Sequence, residues 1–304
     1  MLAYVAVTAA VTLSAGAPFS FWLYATLWPI FAFVCLTLWL LGPRLPKAWR
    51  ASERAVLAAP VMAAVPVFFS AFTSIKTAII TLHPYDWDAR LIAADRAVFG
   101  VDAWRWLQPV LGHAPITFAL SLLYTAWHGV LILSFGAILF ALGHRELRRQ
   151  AMLAFTLCWV LLGTAGAIFF SSVGPCFVGL LHLGPDSFAP QRAYMAAANQ
   201  SLPILEFVEQ ERLLGAASST TPVIGSGISA MPSMHVAITA LLVLMGWRFS
   251  RWAGIAASAY FVIVVVASLH LGWHYATDDA FAAVGAVVIW FASGWVTRLS
   301  PKKV

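Results

Sequence analysis

Seven long apolar stretches dominate this chain of 304 residues. A helix needs about 20 mostly apolar residues to cross the hydrocarbon core of a bilayer, and each stretch is of that order. We therefore expect an all-α integral membrane protein. Residues 2–17 are also apolar but short, and the sequence leaves open whether they span, are cleaved or lie at the interface. The seven stretches are 18–42, 55–82, 115–142, 151–171, 231–248, 252–270 and 279–297.

The composition argues against a soluble protein. Apolar residues make up 62% of the chain and charged residues only 10%, whereas a soluble domain has about 25% charged residues. The net charge of +6 comes from basic residues between apolar spans, so we expect it to set membrane orientation and predict no nucleic-acid partner. The three cysteines show no pairing or zinc spacing, and we expect no cofactor.

The basic residues fall in alternate loops. They cluster at 44–54, 144–149, 248–251 and 298–303, and the positive-inside rule assigns these four places to the cytoplasm. We therefore predict a multi-pass protein of the plasma (inner) membrane with a cytoplasmic C-terminus. Segments 83–114 and 172–230 then face the periplasm, the cell exterior or a lumen.

This topology predicts two parts. Residues 1–54 would form N-terminal membrane helices, and residues 55–304 a six-helix catalytic membrane domain with outward loops 83–114 and 172–230. We expect a helix near 202–214 in the second loop. The aspartates of the first loop are interpreted as caps of interfacial helices; they are Asp86, Asp88, Asp95 and Asp102.

A polar motif precedes the stretch 231–248. It reads Pro232-Ser233-Met234-His235. Proline is favoured at the first helical position because its missing N–H would be unpaired there. We expect a helix to begin at Pro232, with Ser233 and His235 in its first turn. Free backbone N–H groups and the helix dipole make such a turn a site for phosphate.

A second polar motif joins the last two spans. His270, His274 and Asp278 follow one another at intervals of four, so in a helix they would share one face. A carboxylate can accept Nδ1–H of the preceding histidine and leave its Nε2 free to attack. The competing interpretations are that Asp278 and Asp279 cap the last helix and that His270 is structural.

Isolated cations lie near the outer ends of the spans. Lys76 lies near the end of the stretch 55–82, and Arg192 and Arg212 lie in the loop 172–230. Cations are what the oxygens of a transferring phosphoryl group require. Lys76 could instead extend to the lipid headgroups, and the two arginines could simply face water.

At these residues the sequence resembles the type 2 phosphatidic acid phosphatase superfamily, which has a core of six membrane helices. Pro232-Ser233-Met234-His235 is similar to its Pro-Ser-Gly-His motif, and His274 with Asp278 is similar to its third motif. The resemblance implies that His274 is a nucleophile forming a phosphohistidine and that Asp278 orients it. It also implies that His235 protonates the leaving oxygen and Ser233 holds phosphate.

The sequence differs from the motifs of that superfamily in two places. Its first motif, a lysine followed by Arg-Pro, is absent, and Met234 replaces the glycine of the second motif. Both features resemble the branch that includes inositol phosphorylceramide synthases. Lys76 and Arg192 are then the candidates for holding phosphate, with Met234 beside the substrate.

The sequence therefore predicts a lipid phosphatase acting on a lipid phosphate at the outer membrane face. The alternative is a phosphotransferase that moves a phospho-headgroup from a phospholipid to a lipid alcohol. Two further alternatives belong to other classes of protein. One is a metal- or haem-binding membrane protein that uses His270, His274 and Asp278, and the other is a transporter. The headgroup, the lipid and the oligomeric state stay open.

Overall fold

The computed structural model describes residues 1–41, 51–140, 144–217 and 219–299. All regular secondary structure in these residues is helical. A π-helical segment, Cys158–Gly166, follows the ninth α-helix directly. In chain order the α-helices are α1 (Leu2–Ser14), α2 (Leu27–Leu41), α3 (Ala51–Thr77), α4 (Ile79–Leu82), α5 (Asp88–Phe99), α6 (Trp104–Leu111), α7 (Ala114–Thr125), α8 (Trp127–Leu139), α9 (Arg145–Leu157), α10 (Ala167–Phe169), α11 (Pro175–Val178), α12 (Ala189–Ser201), α13 (Leu205–Gly215), α14 (Met234–Phe249), α15 (Arg251–His270) and α16 (Ala276–Leu299).

Among the described residues, five helical runs are long and apolar enough to cross a membrane. They lie in α3, in α7 with α8, in α9 with the π-helical segment and α10, in α15 and in α16. The shorter apolar helix α14 packs against α15 and α16 and completes a bundle of six. The predicted all-α membrane fold is confirmed, and six of the seven predicted stretches correspond to this bundle.

Helix α14 begins at a capping serine and is shorter than α15. The side chain of Ser233 accepts a hydrogen bond from the backbone N–H of Val236 at 3.4 Å, which makes Ser233 the N-cap. The sequence predicted that the helix begins at Pro232 with Ser233 inside its first turn, and this was wrong, because the helix begins two residues later at Met234 and Ser233 precedes it. His235 does lie in the first turn. At 1.5 Å per residue α14 is about 24 Å long and α15 about 30 Å. The polar start of α14 therefore lies within the bundle, below the C-terminal end of α15.

The two N-terminal helices lie against α3. Tyr4 of α1 bonds Thr164 through the two hydroxyls at 2.8 Å and packs its ring 4.8 Å from that of Phe68. With 13 residues, α1 is about 20 Å long, shorter than the hydrocarbon core of a bilayer. The division of the chain into parts at residue 54 stays a prediction.

A cap of short helices covers one end of the bundle. It is built from α5 and α6, and from α11, α12 and α13 of the long loop 172–230. Helix α13 confirms the helix expected near 202–214, whereas α12 was not predicted. A separate apolar cluster holds the cap together, and its buried members include Leu91, Trp104, Phe177, Phe188 and Tyr275.

The opposite end of the bundle carries the basic turns. The ring of His144, just before α9, lies 5.2 Å from that of Phe249 at the end of α14. The clusters at 144–149 and 248–251 therefore share one end, away from the cap. Arg44, Lys47, Arg50, Lys302 and Lys303 of the other two predicted clusters lie outside the described residues.

Candidate active site

The imidazole of His274 and the carboxylate of Asp278 form a buried pair. Nδ1 of His274 lies 2.8 Å from Oδ2 of Asp278, and the two side chains are 8% and 0% exposed. Burial alone would lower the pKa of His274, but Asp278 and then Asp279 more than offset it, so this pKa lies above the usual histidine range. With Nδ1 bonded to Asp278, only Nε2 of His274 is left to reach a substrate.

The same carboxylate also fixes the start of α14. Oδ1 of Asp278 accepts a hydrogen bond from the backbone N–H of Ser233 at 2.7 Å. Asp278 therefore joins the two motifs, which are far apart in the sequence, through its two oxygens. Since both oxygens are engaged, neither the nucleophile candidate nor the phosphate-binding turn can shift without loss of a buried hydrogen bond.

His235 faces His274 within an aromatic enclosure. The two imidazole centroids are 6.3 Å apart. The ring of Tyr124 stacks on His235 at 4.4 Å and that of Trp127 lies at 4.3 Å. Trp127 Nε1 also donates to the backbone carbonyl of His235 at 3.2 Å. These contacts fix the ring, while its nitrogens bond no residue within the described parts of the chain.

Asp88 and Asp95 of α5 hold the segment that carries His274. Asp95 accepts hydrogen bonds from the backbone N–H groups of Ala276 and Thr277 at 2.9 and 2.8 Å, and so caps α16. Asp88 accepts from Tyr275 Oη at 2.8 Å, and burial raises the pKa of Asp88. The expectation that these aspartates cap interfacial helices was therefore wrong for both. They stabilise the helix start and loop of the candidate site instead.

The loop 172–230 holds the same segment from the other side. Glu206 of α13 accepts from Trp273 Nε1 at 2.7 Å, and Gln210 donates to the carbonyl of Leu271 at 2.8 Å. Gln191 of α12 donates to the carbonyl of Leu269 at 2.8 Å. Burial raises the pKa of Glu206. The cap therefore does more than cover the site, because it sets the conformation of the loop before α16.

Of the three cations singled out in the sequence, the two assigned to phosphate have different surroundings. The charge of Lys76 acts on both His235 and His274, and no carboxylate within the described residues lies at ion-pair distance from it. Arg192 forms an ion pair with Asp186. Of the two phosphate-binding candidates, Lys76 is therefore the one without an ion-pair partner among the described residues, and its contact with phosphate stays a prediction.

Met234 packs against the π-helical segment. A Cβ added at Gly163 would lie 3.1 Å from Sδ of Met234 and 3.1 Å from the ring of Phe72. Gly163 thus leaves the space that the methionine fills. Met234 is partly buried there, so its contacts are those of a packing residue next to the site. Its predicted contact with substrate stays a prediction.

The residues that lie close enough together to bind a metal differ from the set that the sequence predicted. His270 bonds Thr117 Oγ1 through Nε2 at 2.9 Å, whereas His274, Asp278 and Asp279 offer ligand atoms within 4.8 Å of one another. Both oxygens of Asp278 already accept hydrogen bonds, and Asp279 accepts one from Ser268. A metal at this group would compete with the hydrogen bonds on Asp278 that hold the two motifs together, whereas Oδ1 of Asp279 has no hydrogen-bond partner among the described residues.

A profile of the PAP2 superfamily matches residues 89–294, about two thirds of the chain. The chain belongs to the PAP2 superfamily. Comparison with curated proteins and with solved structures gives no significant match. Membership confirms the predicted type 2 phosphatidic acid phosphatase resemblance and supports a phosphatase-type lipid enzyme. The match begins after α3, so Lys76 lies outside it.

The PAP2 site also contains residues that sequence reasoning missed. Tyr124, Trp127 and His128 surround His235 from the junction of α7 and α8. The two aromatic residues carry no sequence signal, since aromatic residues are common in spans. An ionisable residue inside a span is rare and marks function, so His128 could have been singled out.

Proposed function

We propose that this PAP2 protein is a lipid phosphatase that hydrolyses a lipid phosphate through a phosphohistidine on His274. The observation that carries the proposal is the pair of hydrogen bonds on Asp278, from His274 Nδ1 at 2.8 Å and from the Ser233 backbone at 2.7 Å. This arrangement leaves Nε2 of His274 free for attack and joins His274 through Asp278 to the start of α14, where free backbone N–H groups would attract phosphate.

Each residue has one task in the proposed reaction. Nε2 of His274 attacks phosphorus, the bond to the lipid oxygen breaks, and His235 gives its proton to that oxygen. Asp278 stabilises the charge that develops on His274. A water molecule, activated by the now neutral His235, then attacks the phosphohistidine and releases inorganic phosphate.

The phosphate oxygens need positive partners during both steps. We assign this task to the N-terminus of α14, with Ser233, and to Lys76. Arg192 is a weaker candidate because it is engaged with Asp186. The first motif of the superfamily, a lysine followed by Arg-Pro, is absent from this sequence. In this assignment, Lys76 and the start of α14 take its place in holding phosphate.

We also propose that the site faces outward. The cap and the site lie at one end of the bundle, and the basic turns at 144–149 and 248–251 lie at the other. The positive-inside rule places those turns in the cytoplasm.

The transferase alternative is favoured by one observation, which is the burial of the site. His274 and Asp278 are almost fully enclosed beneath the cap, and exclusion of water is how an enzyme suppresses hydrolysis of a reactive intermediate. An alcohol on a second lipid would then take the phosphoryl or phospho-headgroup. Met234 adds little to this argument, because it packs against Gly163.

The test is turnover of purified protein in detergent or in vesicles. We expect release of inorganic phosphate from a lipid phosphate such as phosphatidic acid, inhibition by vanadate, and no loss of activity with EDTA. His274→Ala is expected to abolish release. Near-normal turnover by His274→Ala would overturn the phosphohistidine, and loss of activity with EDTA that is restored by added metal would favour the metal alternative.

A further inference from the structure

Three hydroxyl residues form a polar stripe along α7. Thr117, Ser121 and Thr125 follow one another at intervals of four, so they lie on one face of the helix. Thr117 and Ser121 are fully buried, although α7 belongs to the apolar run Ala114–Leu139. A buried hydroxyl group in such a run is costly unless it finds a hydrogen-bond partner on a neighbouring element. The partners of this stripe therefore show what docks against α7.

The cap supplies a partner for each residue of the stripe. Thr117 bonds Tyr194 of α12 through the two hydroxyls. Oγ of Ser121 accepts from the backbone N–H of Glu206 at 3.4 Å, and Oγ1 of Thr125 donates to Oε1 of Glu206 at 2.7 Å. Two of the three residues thus contact Glu206, which lies in the first turn of α13 and is 7% exposed. A buried carboxylate therefore joins α13 of the cap to α7.

The other oxygen of Glu206 reaches the loop that carries His274. Oε2 of Glu206 accepts from Nε1 of Trp273 at 2.7 Å, and Trp273 directly precedes His274 in the chain. A carboxylate can accept hydrogen bonds through both oxygens, and here each oxygen has a side-chain donor from a different element. Glu206 therefore links α7 to the loop before α16.

The α7 side of this link leads to His235. Tyr124 and Trp127 lie just before and just after Thr125 at the junction of α7 and α8, and their ring centroids lie 4.4 and 4.3 Å from that of His235. Trp127 Nε1 also donates to the backbone carbonyl of His235. The segment that bonds one oxygen of Glu206 is therefore the segment that encloses His235.

We propose that Glu206 is a positioning residue that sets the separation of His235 and His274, whose ring centroids lie 6.3 Å apart. Asp278 ties His274 to the start of α14, and Glu206 ties the loop of His274 to the junction that encloses His235. The general acid and the nucleophile must act on one phosphoryl group, so their separation decides whether both reach it. The proposal rests on the proposed function and adds to it a residue outside both motifs.

The link is tested first by substitutions at Glu206. Glu206→Ala removes both acceptors, and we expect kcat on a lipid phosphate to fall about a hundred-fold, as when catalytic groups are misplaced by about 1 Å. Glu206→Gln should keep kcat close to that of wild type, because its amide oxygen can accept from Trp273 while its NH₂ group donates to Thr125 Oγ1. Glu211→Ala, at an exposed position of α13, is the control and should match wild type. A normal kcat for Glu206→Ala, or equal losses in Glu206→Ala and Glu206→Gln, would overturn the proposal.

The leaving group separates positioning from a purely structural role. Fewer correctly folded molecules would reduce kcat equally on every substrate. Misplacement of His235 relative to His274 instead weakens general-acid assistance, so Glu206→Ala should lose about ten-fold less kcat on a nitrophenyl phosphate ester than on a lipid phosphate. Trp273→Phe and Thr125→Val each remove one donor and should show the same bias to a smaller extent. Equal losses of Glu206→Ala on both substrates would assign Glu206 to folding of the cap and overturn the positioning role.

Amide hydrogen exchange separates this proposal from the proposed function, because it requires no turnover. Exchange is followed by mass spectrometry in peptides that cover residues 121–128 and 269–275, in wild type, Glu206→Ala and Glu211→Ala. We expect faster exchange of both segments in Glu206→Ala alone, since loss of the shared carboxylate frees each segment from the other. This result supports the link even if wild type releases no phosphate. Unchanged exchange in either segment would show that Glu206 does not hold the two together, and would overturn the proposal even if the phosphatase is active.

Discussion

Asp278 accepts a hydrogen bond from His274 on one carboxylate oxygen and from the backbone of Ser233 on the other, at 2.8 and 2.7 Å. One buried carboxylate therefore sets both the tautomer of the candidate nucleophile and the position of the helix start that would receive phosphate. Its neighbourhood is supported in turn by Asp95, which bonds the first backbone N–H groups of α16. Substitution of Asp278 should therefore affect His274 directly, and substitution of Asp95 should affect it through the start of α16.

Replacing Asp278 by asparagine should change both the rate and its pH dependence. His274 must be neutral to attack, and Asp278 raises its pKa, so wild-type activity should rise with pH through a value above the usual histidine range. The amide oxygen of the Asp278→Asn side chain can still accept from Ser233, but a neutral amide cannot stabilise protonated His274. We expect kcat to fall by up to about 10⁴-fold and the acidic limb of kcat/KM to move to lower pH. A pH profile of both proteins checks this, and an unmoved limb would show that another group controls it.

Loss of His235 should depend on the leaving group. General-acid assistance is worth about 10²–10⁴-fold, and a good leaving group needs little of it. His235→Ala should therefore lose most of its activity on a lipid phosphate but much less on a nitrophenyl phosphate ester. His274→Ala is the comparison, because loss of the nucleophile should abolish both reactions. Equal losses of His235→Ala on both substrates would contradict the general-acid role.

Asp95 should act on stability and activity together. Asp95→Ala removes the cap of α16, which is worth about 0.5–2 kcal/mol in a helix, and loosens the turn that carries Asp278. We expect a lower unfolding temperature in detergent and a lower kcat. Asp86 is the matched control, since it is 46% exposed and lies 3.8 Å from His83. Asp86→Ala should leave both quantities unchanged, and equal effects of the two substitutions would contradict the capping role.

The orientation of the site can be tested with single cysteines. Ser219 lies in the long loop at the cap and Ser250 in the turn between α14 and α15, and both are exposed. In a background without Cys35, Cys158 and Cys176, an impermeant thiol reagent applied to intact cells should label Ser219→Cys and not Ser250→Cys. The reverse pattern would place the site on the cytoplasmic face.

Hydrolysis and transfer can be separated by where the phosphate goes. A radiolabelled phospholipid donor is supplied with and without a lipid alcohol such as diacylglycerol or ceramide. The phosphatase proposal expects label in water-soluble phosphate under both conditions, because water is the acceptor. Label that enters a new lipid only when the alcohol is present would establish the transferase alternative instead.

The membrane fold and the two motifs could be predicted from the residues themselves. Long apolar stretches leave helices as the available solution in lipid, because each helix satisfies its own backbone hydrogen bonds. The contact between His274 and Asp278 was predicted, but the shared helix face with His270 on which that prediction rested was wrong, because α15 ends at His270 and His274 lies in the loop before α16. The start of α14 was predicted at Pro232, two residues before its first residue, Met234, and Ser233 acts on the backbone next to it as the N-cap.

Only the tertiary structure showed which residues far away in the sequence lie at the candidate site. Asp95 is separated from Thr277 by 182 positions along the chain, and nothing local distinguishes a carboxylate that caps its own helix from one that caps another. Lys76 and Arg192 looked equivalent in the sequence, yet packing pairs Arg192 with Asp186, whereas no carboxylate in the described part of the chain lies at ion-pair distance from Lys76. His128 is one polar residue in an apolar span until α14 packs beside it and places His235 at 6.0 Å. Contacts between elements depend on how helices pack, and a pattern along one helix does not contain that information.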